Sequence, residues 1–266
     1  MDQFYITLPS NSSEKFYGKQ PMHRFKTHIA KPFNIDVEDW EVGLAEIIFP
    51  HTWHNITDGR VSVMCLEHNK WVWKHGKIPS AYYSTPEELI GMLTSIVSAI
   101  LDNQKKNILF NYDAIERKFF VDIKSGYRVR FSAQLAIALG LGDCEAILRG
   151  HEAREEVIND VRCYYSGNKI TGLFTADLNR GLHTFFIYSD IVAHQLVGDA
   201  NVPLLRVIPV TGKNGDVVVQ SFDNIHYAGL SQSTFQEIEI VITDDTGERV
   251  PFEKGRVIVK LHFRKK

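Results

Sequence analysis

Cysteine is scarce in this chain: three among 266 residues, at Cys65, Cys144 and Cys163, far apart and with no CxxC pair. An odd, dispersed set does not build a disulfide scaffold and fits thiols kept reduced. No apolar run approaches the ~20 residues that cross a bilayer. The start, Met1-Asp2-Gln3-Phe4, lacks a basic segment leading into an apolar one, so no secretion signal is expected. The sequons Asn11-Ser12-Ser13 and Asn55-Ile56-Thr57 are accordingly expected to stay unmodified. A dominant charge sign is missing too. The formal net charge is −2, which argues against bulk nucleic-acid binding, and the basic ending Phe263-Arg264-Lys265-Lys266 reads as a solvated tail, with contact to an anionic partner as the alternative. With 44% hydrophobic and 23% charged residues, the composition is that of an ordinary globular protein. Its length allows one large β domain or two smaller ones.

Catalytic motifs are equally thin. Asp245-Thr246-Gly247 has the tripeptide of aspartic proteases, but Asp244 and Glu248 flank it where such enzymes carry apolar and small residues. Set between two strand patterns, it reads as a hairpin turn. His51 and His54 offer two imidazoles with no further ligands at metal spacing and no HExxH, so they read as loop or interface residues. Gly212-Lys213-Asn214-Gly215 lacks the phosphate-loop spacing and precedes a strand, and Gly140-Leu141-Gly142 lacks the third glycine of a dinucleotide loop. Trp71 and Trp73, with Tyr82 and Tyr83, could form a stacking surface, though a mixed sheet face is the simpler reading. No enzyme emerges, and neither cofactor nor metal is expected.

Short alternating strands dominate both ends of the chain. Phe4 to Leu8 forms one, Phe25, Thr27 and Ile29 another, and Trp40 to Pro50 a third. Near the C-terminus Val257, Val259, Leu261 and Phe263 share one face, and Arg256, Ile258, Lys260 and His262 the other. The third strand changes phase between Leu44 and Ala45, which a bulge or burial on both faces would explain. Between the ends the pattern shifts. Val61 to Leu66 and Trp71 to Trp73 flank a turn, as in a hairpin. Thr85, Pro86 and Glu88 mark a helix start, and Leu89, Leu93, Ile96, Val97, Ile100 and Leu101 supply its buried face. Ser132 is placed to cap a second, short helix that stops at Gly140. Residues 146–160 are charged. The expected fold is mainly β, a single jelly-roll antiparallel β-sandwich with an α+β insertion: residues 1–60 and 146–266 form the sandwich and 61–145 the insertion.

Several segments in consistent order carry a resemblance: Phe4 to Ser13, Trp40 to Ile47, Ile78 to Ser84, Tyr188 to Val192, Val197-Gly198-Asp199, and Glu237 through Asp244-Asp245-Thr246-Gly247 to Arg264. Together they resemble the minor capsid, or penton, proteins of Polinton (Maverick) transposons and adintoviruses. The resemblance implies a homopentamer at the fivefold vertices of an icosahedral shell, partnered by a double jelly-roll major capsid protein. It also implies a location in the virion after synthesis inside the host cell, and no catalytic residues. A fivefold ring joins one flank of each subunit to the opposite flank of the next, and such flanks carry apolar and aromatic groups within a polar rim. The interface candidates are His51, Trp53 and His54 in the loop 50–55, and Asn224, His226 and Tyr227 in the segment 223–227. Arg149, Glu152 and Arg154 are candidates for contact with the major capsid protein. The alternative is a jelly-roll binding module that recognises a host receptor or glycan. Glycan binding that survives in the isolated insertion would favour it.

Overall fold

Strands that alternate in burial need a second sheet to cover their apolar face, and the pairing shows how the chain supplies one. A computed structural model describes residues 2–68, 70–101, 107–142, 144–150, 162–167, 169–179 and 182–266. The first elements are β1 (Gln3–Pro9), α1 (Glu14–Tyr17), β2 (Arg24–Asn34) and β3 (Trp40–Pro50). Then come β4 (Gly59–Glu67), β5 (Lys70–Ile78), α2 (Pro86–Ile100), β6 (Ile108–Asp113), β7 (Lys118–Ile123) and β8 (Arg128–Phe131). These lead into α3 (Ala133–Ala138), β9 (Glu145–Arg149), β10 (Arg162–Ser166) and β11 (Lys169–Thr171). Beyond them lie β12 (Thr184–Ser189), β13 (Gln195–Val197), β14 (Ala200–Val202) and β15 (Leu204–Pro209). The chain closes with β16 (Val217–Ser221), β17 (Tyr227–Gly229), β18 (Thr234–Thr243) and β19 (Ile258–Lys265). It divides into two compact units, Met1–Trp53 with Leu182–Lys266, and His54–Gly181.

In the first unit the partners are nested: β1 pairs β19, β2 pairs β18, β3 pairs β16 and β17, and β12 pairs β15, all antiparallel. Concentric pairing of this kind is one long hairpin wound over on itself. It yields the sheets β1-β19-β3-β16, with β17 also on β3, and β15-β12-β18-β2. That order is a jelly roll. The second unit is spliced in where the chain crosses from β3 in one sheet to β12 in the other.

The inner faces are those the alternation assigns. Val259, Leu261 and Phe263 of β19 are fully buried with Val42, Leu44, Ile47 and Phe49 of β3, facing Ile238, Ile240 and Ile242 of β18. A closed ring of stacked phenylalanines ties both sheets at one end: Phe4 lies 5.1 Å from Phe33 and 4.8 Å from Phe263, and Phe235 lies 5.5 Å from Phe33 and 5.9 Å from Phe263. Each such pair adds ~0.5–1.5 kcal/mol beyond the area it buries. The phase change in β3 is a bulge. Lys260 faces Glu46 and Leu261 faces Leu44, so Ala45 is the extra residue and both runs of β3 stay core-facing.

The second unit has its own core. Its five-stranded sheet runs β10-β9-β8-β4-β5, and a three-stranded sheet runs β11-β7-β6. Helix α2 begins where the sequence indicates, with the Glu88 amide donating to Thr85 Oγ1 (3.3 Å) and Pro86 in the first turn. The Glu88 carboxylate accepts from the Ser84 amide (2.7 Å), one residue earlier than a capping box requires. Ser132 precedes α3 but does not cap it; its hydroxyl donates to Asp58 O (2.8 Å). The expected insertion, 61–145, is too short at both ends. Strands β9 and β10 join the insertion's sheet, β11 pairs β7, and Ile56 bridges Ala81, so the segment from 146 to 181 and the residues from 54 leave the sandwich. Sheet partnership decides membership here, and composition does not reveal partnership. Glu152 and Arg154 lie outside the described residues.

Candidate interface surfaces

Two of the expected interface residues are core. After β3 the chain turns inward: the His51 amide donates to Asp216 O (2.9 Å), and His51 O accepts from the Gly215 amide (2.8 Å). The His51 ring stacks on Trp53 at 3.9 Å, and Trp53 meets Phe185 and Phe252 edge-on at 5.7 and 5.9 Å. Trp53 is 3% exposed and His51 4%, so neither presents a surface. Asn55 is likewise buried, with Nδ2 donating to Tyr83 O and Oδ1 accepting from the Tyr83 amide, both at 2.9 Å. His54 is half-buried in the second unit, and Arg149 is half-buried on β9.

The other group fares differently. Asn224 and His226 are exposed and Tyr227 is half-buried. Arg206 holds this segment, its guanidinium 3.8 Å from the Phe222 ring centre and its Nη1 donating to Asn224 O (3.1 Å). The segment passes directly over Gly43. A Cβ there would lie 2.4 Å from Ile225 Cγ2 and 2.6 Å from His226 O, so only glycine admits the crossing.

Strand register then assembles the outer face of this sheet row by row. Tyr5, His262, Gly43 and Tyr227 form one row, and Gln3, Arg264, Glu41 and Gly229 form the next. Tyr5 stacks on His262 at 4.4 Å, the Tyr227 hydroxyl is 2.7 Å from His262 Nδ1, and the Arg264 guanidinium lies 3.6 Å over the Tyr227 ring. Arg264 Nε donates to Glu41 Oε1 at 2.6 Å. On the far side Thr7, Lys260, Glu46 and Ser221 make a polar row, and beyond it Pro9, Ile258, Ile48 and Val219 make an apolar one. Val219 is 57% exposed and its neighbour Val217 70%, on an edge strand whose outer side has no partner among the described residues. This face therefore carries an apolar band next to a polar, aromatic field. The signals in the sequence were Ile258, apolar within a polar parity, and the run Val217-Val218-Val219, apolar on both.

Burial pushes the His262 imidazole below its ordinary 6.5, and the Arg264 charge adds to the effect. His51 and His23 shift the same way, again chiefly through burial. The unfolded chain therefore takes up these protons at a higher pH than the folded one. Stability is full above about pH 6.5 and declines as pH falls below it, by at most about 1.4 kcal/mol per group per pH unit. A thermal melt series from pH 7.5 to 5 is expected to show the decline, with a shallower slope in His262→Gln.

Asp245 sits in the turn that the sequence predicts. Asp244 Oδ1 accepts from the amides of Thr246 (2.9 Å) and Glu248 (2.8 Å), and Gly247 adopts φ +83°. No cluster of three or more metal-ligating side chains occurs among the described residues. No helix among them is long and apolar enough to cross a membrane.

The sequence matches no protein-family profile and no curated protein. Solved structures do match. The penton protein of mavirus is similar over 100% of both chains, at 12% identity and a TM-score of 0.51. A chain in the cryo-EM structure of the Sputnik virophage is similar over 100% of this chain and 98% of its own, at 11% identity and a TM-score of 0.50. At such identities the likeness is one of fold: mainly β, with the jelly roll and the insertion both included in the superposition.

Proposed function

We propose that the chain is a structural virion protein, the penton of an icosahedral shell encoded by a Polinton-like element. Five copies close a ring at each fivefold vertex, and a double jelly-roll major capsid protein surrounds them. The observation that carries this reading is the end-to-end likeness to a penton protein, insertion included, over the full length of both chains. The segments that resemble Polinton and adintovirus minor capsid proteins point the same way. So does the outer face around Tyr5, His262 and Tyr227, which is ordered by stacking and hydrogen bonds before any partner arrives and carries an exposed apolar band. Preordered faces bind at lower entropic cost.

In a closing ring the contact is heterologous, so the apolar band meets a different surface of the neighbouring copy. The test is the native mass of the purified full chain across a concentration series. A species of five subunits is expected. A strictly monomeric chain at high concentration, also when mixed with its major capsid protein, would contradict the reading.

A further inference from the structure

Among the described residues, helices α2 and α3 cover one face of the insertion's five-stranded sheet. Val61, Val63, Val129 and Phe131 point inward, where α2 and α3 pack and Phe119 meets Phe131 at 6.4 Å. The opposite face is built from the alternate residues. His75, Ser62, Arg130 and Ile147 stand in one cross-strand row, and Trp73, Met64, Arg128 and Arg149 in the next. Lys77 and Arg60 face each other on the other side.

A cavity of about 510 Å³ opens on this face, lined by Arg60, Ser62, His75, Lys77, Arg130 and Glu145. That volume is in the range of small-ligand sites. Three permanent cations and one carboxylate line it, in a chain whose net charge is −2. The Glu145 carboxylate accepts from Arg130 Nη2 (2.6 Å) and Nε (3.2 Å), which fixes the guanidinium in the cavity wall. At the rim Asp58 pairs with Arg60 at 3.0 Å. Ser62 Oγ lies 2.8 Å from His75 Nδ1, a hydrogen-bonded pair that offers a polar group between the cations. Two residues along β5 from His75, on the same face, is Trp73, 38% exposed; Trp71 follows at 47%. Trp71 is held edge-on to Tyr127 at 6.2 Å.

The geometry points to a binding site for an acidic oligosaccharide on this face. Its sulfate or carboxylate sits among Arg60, Lys77 and Arg130, and a sugar ring lies on Trp73. Glu145 holds Arg130 Nε and Nη2, and Asp58 holds Arg60 Nη2, so the oxyanion meets Lys77 and the guanidinium hydrogens that these carboxylates leave over; exposed indoles supply flat apolar platforms. The carboxylate and hydroxyl in the wall decide between polyanions. Glu145 repels every anion alike, but it and Ser62 can accept hydrogen bonds from the sugar hydroxyls that an acidic oligosaccharide carries beside its anionic groups and that a DNA backbone lacks. Binding here does not depend on where the chain sits in a shell, so it stands or falls apart from the vertex reading.

The experiment titrates the full chain with a heparin-derived tetrasaccharide, sialyllactose, neutral lactose, inorganic sulfate and a single-stranded DNA oligonucleotide, following tryptophan fluorescence. Trp40 and Trp53 are buried in the other unit (9% and 3% exposed), so the signal reports Trp71 and Trp73. One or both acidic sugars are expected to bind and change the fluorescence. Arg60→Glu with Lys77→Glu, two exposed positions, is expected to lower affinity at least about tenfold, the equivalent of ~1.4 kcal/mol, and Trp73→Ala to abolish most of the signal. Melting temperatures of the variants establish that they fold. The assignment is overturned if neither acidic sugar binds, or if neutral lactose binds as well as sialyllactose. It is equally overturned if inorganic sulfate or the oligonucleotide binds as tightly, or if the double charge reversal leaves affinity unchanged.

Discussion

Trp53→Ala is expected to destabilise the isolated chain by about 3–5 kcal/mol, the range for deleting a large buried aromatic. The indole is 3% exposed and closes the end of the sandwich core against Phe185, Phe252 and His51. Its loss leaves a cavity that Phe185 and Phe252, both distant in sequence, would have to collapse into. Denaturant unfolding of the purified chain measures the effect with no partner present. This separates the two roles open to Trp53 from its sequence. An interface residue would leave the isolated chain unchanged and weaken only assembly, whereas a core residue costs stability everywhere.

Gly43→Ala is the second large effect. The added methyl carbon would sit 2.6 Å from the carbonyl oxygen of His226 and 2.4 Å from Ile225 Cγ2. The isoleucine can rotate away, but the carbonyl belongs to backbone leading into β17, which is hydrogen-bonded to β3. The segment 224–227 must lift as a whole, and overpacking of this kind costs ~1–3 kcal/mol; a value near the top of that range is expected. Lifting it also breaks the Tyr227–His262 hydrogen bond (2.7 Å) and the seat of Arg264 on the Tyr227 ring. Amide exchange should therefore quicken at Tyr227 to Gly229 while the centre of β18 stays protected. An alanine variant as stable as the parent, with unchanged exchange, would mean that the segment does not cross Gly43.

Local features were legible in the sequence because local chemistry produces them. Thr85 and Pro86 fix where α2 starts, the parity of Val259, Leu261 and Phe263 fixes the inner face of β19, and the phase change at Ala45 is the bulge. Asp244 to Glu248 reads as a turn and is one. What could not be read are relations between distant residues. β1 pairs with β19 from Gln3 with Arg264 to Pro9 with Ile258, and no periodicity announces such a partner. The insertion's true extent depends on β9, β10 and β11 finding strands of the second unit. Trp53, an aromatic in the loop 50–55, has the character of an interface residue; what buries it is Phe185 and Phe252, the latter almost two hundred residues later. Conversely Tyr5, Gly43 and Arg264 acquire significance only once register sets them beside His262 and Tyr227.

The charge balance of the insertion shows the same limit. Across the whole chain the charges nearly cancel, yet β4, β5, β8 and β9 bring Arg60, Lys77, Arg128, Arg130 and Arg149 to one face of a sheet. Segregation of this sort comes from strand parity, and no composition reveals it.

The most direct test of the proposed vertex role is a cryo-EM reconstruction of shells formed by co-expressing this chain with the double jelly-roll major capsid protein encoded beside it, the partner proposed above. The account predicts density for five copies of the jelly roll at every fivefold vertex and nowhere else. Complete shells with vertices built without this chain, or the chain found elsewhere on the shell, would contradict it.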